Sequence, residues 1–132
     1  MIKSILVTGG GGYIGTNLVD HLIKKKYKVK VVDTFWFGNY LKKNKNLSII
    51  KKDIRDLSLK EVGKIDCIIH LASIANDPAA ELNASLTWEV NVLATYKLIN
   101  LAIKKKVKKF IFASSGSVYG IKKEKNVTED LS

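Results

Sequence analysis

Several residue types are scarce in this chain, and each scarcity closes off a class of protein. Cys67 is the single cysteine in 132 residues, so no intrachain disulfide can form and no cysteine-based metal cluster is expected. It stands in an apolar run and reads as a buried structural thiol. One proline, with 46% hydrophobic and 27% charged residues, is the composition of a folded domain and excludes a disordered one. Arginine is nearly absent too. The net charge is +11, yet Arg55 is the only arginine among 23 basic residues. Arginine is the usual reader of nucleic-acid bases, and the lysines here fall in short runs at 24–26, 42–45 and 104–109. Such runs end helices, where a cation complements the macrodipole, or fill loops. No nucleic-acid partner is expected. Long apolar runs are missing as well. Residues 1–8 turn at once into glycines, too short for a signal peptide or a membrane span, so no membrane contact and a cytoplasmic location are expected.

What is present is a pattern of short apolar runs separated by helical periodicity. A chain of this length buries roughly two thirds of its unfolded surface and is expected to form one core. Runs at 3–8, 28–33, 47–51, 66–71 and 109–114 are rich in Val, Ile, Leu and Phe and do not alternate. Strands covered on both faces by helices have this character. Between the first two runs, Ile14, Leu18, Leu22 and Ile23 recur at helical spacing over 13–26. A longer helix is predicted over 82–105, with Leu82, Leu86, Val90, Leu93, Leu98 and Leu101 near one stripe, and a short one over 58–62. This order predicts an α/β fold: a Rossmann-type doubly wound parallel sheet, strand order 3-2-1-4-5, with helices on both faces.

The strongest motif lies between the first strand and the first helix, in Thr8-Gly9-Gly10-Gly11-Gly12-Tyr13-Ile14-Gly15. Gly9 permits a tight turn, Gly12 lets backbone approach a pyrophosphate without a Cβ in the way, and Gly15 lets the helix pack close to the sheet. The helix amino terminus then faces the phosphates with unpaired N–H groups and the positive dipole end. Asp33 ends the second strand, about 20 residues on, where a carboxylate accepts both hydroxyls of an adenosine ribose. A 2′-phosphate there meets a like charge, which favours NAD over NADP. Lys42 or Lys43 nearby would soften that preference.

With these residues placed, the chain resembles the extended short-chain dehydrogenase/reductase family, in particular its NAD-dependent sugar-nucleotide epimerases and dehydratases. The resemblance spans essentially the whole chain. Thr8, Gly9, Gly12 and Gly15 match the family's TGxxGxxG pattern, with Tyr13 and Ile14 inside it, and Asp33-Thr34 matches the acidic end of the second strand. Asp53-Ile54 looks like the family's acidic and aliphatic pair beside the adenine. His70-Leu71-Ala72-Ser73 resembles the HLAA segment next to the cofactor. Asn91 matches the helix asparagine that holds active-site backbone, and residues 110–120 are similar to the SSxxVYG segment after the fifth strand.

The resemblance implies NAD as cofactor, held by Gly9, Gly12, Tyr13, Ile14, Gly15, Asp33, Thr34, Asp53, Ile54, Leu71, Ala72, Ser73, Asn91 and Ser114. It implies Ser115 as the catalytic serine at the substrate hydroxyl, with Ser114 the near alternative; satisfying backbone at a strand end is the structural alternative for either. No metal is implied. A nucleotide-sugar substrate is implied for the complete enzyme, and a homodimer through the 82–105 helix. The family's Tyr and Lys, four residues apart, would stand on a helix beyond Ser132. Tyr119 and Lys123 fit YxxxK by letter, but Tyr119 belongs to the VYG segment and is not expected to be that tyrosine. The chain is thus expected to be the amino-terminal NAD-binding part, residues 1–132, of a longer enzyme, without turnover by itself. A non-catalytic binding or dimerisation module is the alternative. The Phe35-Trp36-Phe37 cluster is expected either as a lid over the adenine or as a core plug.

Overall fold

Ile5, Leu6 and Val7 point alternately to the two faces of their strand, and all three are buried. That strand is therefore central. In the computed structural model, which describes residues 1–75, 81–121 and 126–131, it is β1 (Ser4–Thr8) of a five-stranded parallel sheet. The other strands are β2 (Lys28–Asp33), β3 (Leu47–Lys51), β4 (Cys67–His70) and β5 (Lys109–Phe112). Their order is β3-β2-β1-β4-β5, as the sequence predicts.

Two apolar clusters lie on the two faces. Ile5, Val7, Val29, Val31 and Cys67 pack with Val19 and Leu22 of helix α1 (Tyr13–Lys24). Leu6, Val32 and Ile68 pack instead with Val62 of the short helix α2 (Leu59–Val62) and with Val90, Ala94, Leu98 and Leu101 of a long third helix. Lys30 faces this second side and is accommodated because its ammonium donates to the Glu61 and Val62 carbonyls at 2.8 and 3.1 Å, closing the end of α2. Ser58 and Glu61 form a reciprocal capping box at the other end of α2.

The third helix, α3, differs from the uniform helix predicted over 82–105. It runs as α-helix over Ala84–Trp88, widens to a π turn over Glu89–Leu93, and returns to α-helix over Ala94–Lys104. The extra residue in that turn rotates the buried stripe. Val90, Ala94 and Leu98 face the sheet, whereas Leu93 and Leu82 are exposed. In α1 the predicted stripe also shifts: Ile14 is exposed and Gly15, Val19 and Leu22 are buried. Strands β4 and β5 are shorter than predicted. Beyond each, one hydrogen bond continues the ladder, from the Leu71 N–H to the Thr8 carbonyl and from the Ala113 N–H to the His70 carbonyl.

Asp66 ties the opposite end of the sheet together. Its carboxylate accepts from the Lys3 and Ser4 N–H groups and the Ser4 hydroxyl at 2.9–3.0 Å, and pairs with Lys108 at 2.9 Å. The backbone N–H of Lys3 and the Lys108 ammonium hold its pKa well below the usual carboxylate range. Among the described residues no helix is long and apolar enough to cross a membrane.

Candidate functional site

The carboxyl ends of β1, β2 and β4 open into two adjoining clefts, where a doubly wound sheet binds its ligands. The first is lined by Gly9, Gly11, Gly12, Asp33, Thr34, Asp53 and Ile54, together with residues 35–38 and 71–74. The second is lined by His70, residues 71–75, Thr87, Asn91, Thr95 and residues 112–115. Leu71, Ala72, Ser73 and Ile74 border both, so the loop after β4 is their shared wall.

The glycines of the first cleft do different work. A Cβ on Gly9, whose φ is +72°, would lie 2.6 Å from the Ala72 nitrogen, and one on Gly15 would lie 2.2 Å from the Gly9 carbonyl oxygen. These two are glycine because the fold has no room. Gly12 is otherwise: a Cβ there meets only the Gly9 oxygen, at 3.4 Å. Gly12 is also the N-cap of α1, with no side chain closing it and no acidic residue in the first turn. Gly12 thus brings the positive end of the helix to the edge of the cleft, and among the described residues no side chain caps it.

Asp33 staples this turn to the next loop. Its carboxylate accepts from the Gly11 N–H at 2.8 Å and from the Phe35 N–H at 2.6 Å. Asp33 borders the cleft, and each of its oxygens keeps a lone pair beyond the bond it accepts. Asp53 similarly caps the turn Ile54–Asp56, accepting from the Arg55 N–H at 2.8 Å and pairing with the Arg55 guanidinium at 2.9 Å. Partial burial opposes its ionisation, but the Arg55 contacts outweigh burial and its pKa lies below the ordinary value. Arg55 in turn reaches Glu89 of the π turn at 2.6 Å, linking the first cleft to α3.

The second cleft is organised by a polar chain. Thr8 and His70 are register partners on β1 and β4, and their side chains meet at 2.5 Å through Nδ1. The other ring nitrogen meets the Thr95 hydroxyl at 2.8 Å, and Thr95 donates to the Asn91 carbonyl at 2.8 Å. Since Thr95 spends its only proton on that carbonyl, His70 must donate from Nε2 and accept from Thr8 at Nδ1. The imidazole stacks on Phe112 at 5.6 Å, and burial pushes its pKa down to about 4. Asn91 is gripped from the other side: its amide donates to the Ile74 carbonyl at 2.9 Å and its carbonyl accepts the Ile74 N–H at 2.8 Å. A π turn, a local widening of helix often found at functional sites, therefore fixes the shared wall through one side chain.

Of the residues singled out from the sequence, Gly9, Gly12, Asp33, Thr34, Asp53 and Ile54 border the first cleft, and Asn91, Ser114 and Ser115 the second. Leu71, Ala72 and Ser73 border both. Tyr13, Ile14 and Gly15 border neither; the first two side chains face solvent and Gly15 is packed beneath the turn. Ser115 is exposed and accepts the Ser117 N–H at 3.1 Å, capping the turn Gly116–Tyr119, which leaves its hydroxyl proton unspent by that bond. Tyr119 lies in that turn, while Lys123 lies outside the described residues. Phe35 packs against the α1-side cluster as a core plug. Sequence reasoning missed Thr95 and the ring of His70 as wall residues; the Asn91/Thr95 spacing of four, one helical turn, was the available signal.

A family model described as "NAD dependent epimerase/dehydratase family" matches residues 5–132. The chain belongs to this family. Members of the NAD-dependent epimerase/dehydratase family use NAD. Among curated relatives, a putative UDP-glucose 4-epimerase of Methanocaldococcus jannaschii is 37% identical over 120 residues, 88% of this chain and 39% of the relative. UDP-glucuronic acid decarboxylase 1 of Danio rerio is 35% identical over 89% of this chain and 28% of its own length. Among solved structures, UDP-N-acetylglucosamine 4-epimerase from Methanobrevibacter ruminantium, in complex with UDP-N-acetylmuramic acid, superposes with a TM-score of 0.87 at 34% identity. The match covers 97% of this chain and 43% of that one. DesIV, a dTDP-glucose 4,6-dehydratase from Streptomyces venezuelae with NAD bound, gives 0.87 at 28% identity, over 98% of this chain and 44% of that one. The chain thus spans less than half the length of each of these relatives.

Proposed function

We propose that this chain is the NAD-binding part of a sugar-nucleotide epimerase/dehydratase, whose reaction transfers hydride at a hydroxyl-bearing carbon of the sugar. Gly12 carries the reading: the fold itself leaves room for a side chain there, and a diphosphate lying against the backbone explains why none is present. The unclosed amino terminus of α1 supplies N–H groups and a positive dipole end for that diphosphate. Asp33 supplies acceptors for the adenosine ribose and a like charge against a 2′-phosphate. Bound NAD would supply the hydride acceptor. At the second cleft Ser115 would donate its hydroxyl proton toward the substrate oxygen, while Asn91 holds Ile74 so that the wall between the clefts keeps its place. The family's Tyr/Lys pair and its sugar-nucleotide lobe would come from sequence beyond residue 132.

The same reading includes a homodimer through α3. Val92, Tyr96, Ile99 and Ile103 are exposed at spacings of four, three and four, an apolar stripe of the kind that packs against a second helix. Tyr96→Arg is expected to shift the chain toward monomer in sedimentation; a wild-type monomer at high concentration would remove the dimer.

Calorimetric titration with NAD and with NADP tests the main reading. NAD is expected to bind more tightly than NADP, Gly12→Val to abolish binding while the circular dichroism spectrum is kept, and Asp33→Asn to narrow the preference. A folded chain that binds neither dinucleotide would overturn it.

A further inference from the structure

Among the described residues three that are not glycine have a left-handed backbone: Phe35 and two lysines, Lys26 at φ +65° and Lys106 at +53°. The two lysines hold the same position in the same motif. The Lys26 N–H donates to the Ile23 carbonyl at 2.8 Å and the Tyr27 N–H to the Leu22 carbonyl at 3.1 Å. The Lys106 N–H donates to the Ile103 carbonyl and the Val107 N–H to the Ala102 carbonyl, both at 3.0 Å. These are Schellman caps, which end α1 and α3 and ordinarily have glycine at the left-handed residue, where it is unstrained. Each cap instead has three consecutive lysines, 24–26 and 104–106, and one more two residues on. The first two lysines of each run already complement the helix dipole, so the strained third is not needed to end the helix.

The fold gathers these caps at one end of the domain. All five strands are parallel, so α1 and α3 run back against them and finish beside the strand entries. Lys3, Lys28, Lys45, Lys64 and Lys109 stand at or just before those entries, and all are exposed. Because α1 and α3 pack on opposite faces of the sheet, the lysines of the two caps flank this row on either side. Five strand entries alone span about 19 Å at ordinary strand spacing. The result is a broad face of one charge, at the opposite end of the sheet from both clefts. Asp20 and Asp66 stand among these lysines, and both are already paired, with Lys24 at 2.6 Å and Lys108 at 2.9 Å.

The residue types on this face narrow its partner. The core of a protein interface is depleted of lysine and anchored by arginine and aromatic rings. Nucleic-acid bases are read by arginine and stacked on aromatic rings. Here Arg55, the only arginine, is engaged with Asp53 and Glu89 beside the first cleft, and Tyr27, between the lysines, packs against the α1-side cluster. What this end offers is ammonium groups on flexible stems, spread over a plane. That complements a plane of anionic headgroups, to which each nearby lysine adds attraction without a fixed geometry.

We propose that the lysine-rich end of the sheet docks on an anionic lipid surface and holds the domain with both clefts turned toward solution. Such a contact needs no apolar span, so it replaces the expectation of no membrane contact, which rested on the lack of apolar runs. It does not depend on what the clefts bind.

Vesicle cosedimentation tests it, with phosphatidylcholine vesicles and with vesicles in which part of that lipid is replaced by phosphatidylglycerol. Binding is expected only to the second kind, weakening as salt is raised. In the double variant Lys26→Gly/Lys106→Gly affinity should fall about thirtyfold. Its thermal midpoint should hold or rise, because glycine relieves both caps. Lys51→Gln/Lys97→Gln removes two charges at the exit of β3 and beside Arg55, away from this face, and should bind within about twofold of wild type. Equal losses in the two double variants would overturn the proposal, since binding would then follow net charge alone. Equal binding to neutral vesicles or no binding to anionic ones would also overturn it, as would displacement from vesicles by NAD, which would put the contact at the clefts. Preference for duplex DNA over anionic vesicles at matched salt would overturn it in favour of a nucleic-acid partner.

Discussion

The two clefts are built to different degrees of completeness. The first is shaped by the chain's own packing: Gly9 and Gly15 are each within 3 Å of backbone atoms if given a Cβ, and Asp33 and Asp53 are both engaged in fixed hydrogen bonds. The second is well ordered on the His70 and Asn91 side, but its far wall, β5 and the serines after it, is open. Ile111, Phe112, Ser114 and Ser115 are all exposed. Completeness follows the sheet: β1, β2 and β4 each pair with a strand on both sides, whereas β5 is an edge. A cofactor cradle can be finished by local glycines and helix ends. A substrate wall needs neighbours that other parts of a fold supply.

The largest test of that contrast is Gly15→Ala. Its Cβ would press on the Gly9 carbonyl and force α1 off the sheet, and a loss of about 3 kcal/mol or more is expected from urea unfolding. Gly12→Ala is the matched control. Its backbone conformation suits alanine and the space is adequate, so the loss is expected to stay under about 1 kcal/mol. Equal losses would erase the distinction between fold glycines and the ligand glycine. Next in size is Asn91→Ala, which strips both hydrogen bonds from the Ile74 backbone; about 2 kcal/mol of stability should go, with faster hydrogen exchange at Ile74.

Acid should separate the regions by pH window. His70 has a folded pKa of about 4 against an ordinary 6.5, so the unfolded chain binds its proton first. Stability is expected to decline as pH falls from about 6.5 toward 4, and His70→Gln should flatten that segment of the curve. Asp66, Asp53 and Glu61 have depressed folded values, so what they contribute is present above the ordinary carboxylate range and lost as pH falls below it. An unfolding midpoint independent of pH between 4 and 6.5 in wild type would contradict the buried neutral imidazole. The smallest effect belongs to the open wall: Ser115→Ala should change stability by less than about 0.5 kcal/mol, since the residue is exposed and caps only a short turn.

The legibility of the sequence follows the same divide. Strand order and the glycine turn could be read because continuous apolar runs and glycine spacing are local signals that packing and phosphate binding both impose. The π turn could not. Glu89–Leu93 reads as ordinary helix, and only the contacts of Val90, Ala94 and Asn91 reveal the extra residue that turns Leu93 outward. Ile14 was misplaced for a related reason, since helical spacing gives a stripe but not its angle to the sheet, which Gly15 sets by close approach. The side-chain partners of His70 were equally illegible. They depend on register between strands far apart in the chain, with Thr8 beside His70.

That pairing has a last consequence. From Thr8 through His70 and Thr95 to the Asn91 carbonyl, every proton is handed forward, and the final carbonyl has none to return. The direction of the chain is therefore single-valued. Adding a proton at Nδ1 of His70 requires the Thr8 hydroxyl to turn away, so the charge state of the imidazole and the orientation of the last residue of β1 change together or not at all.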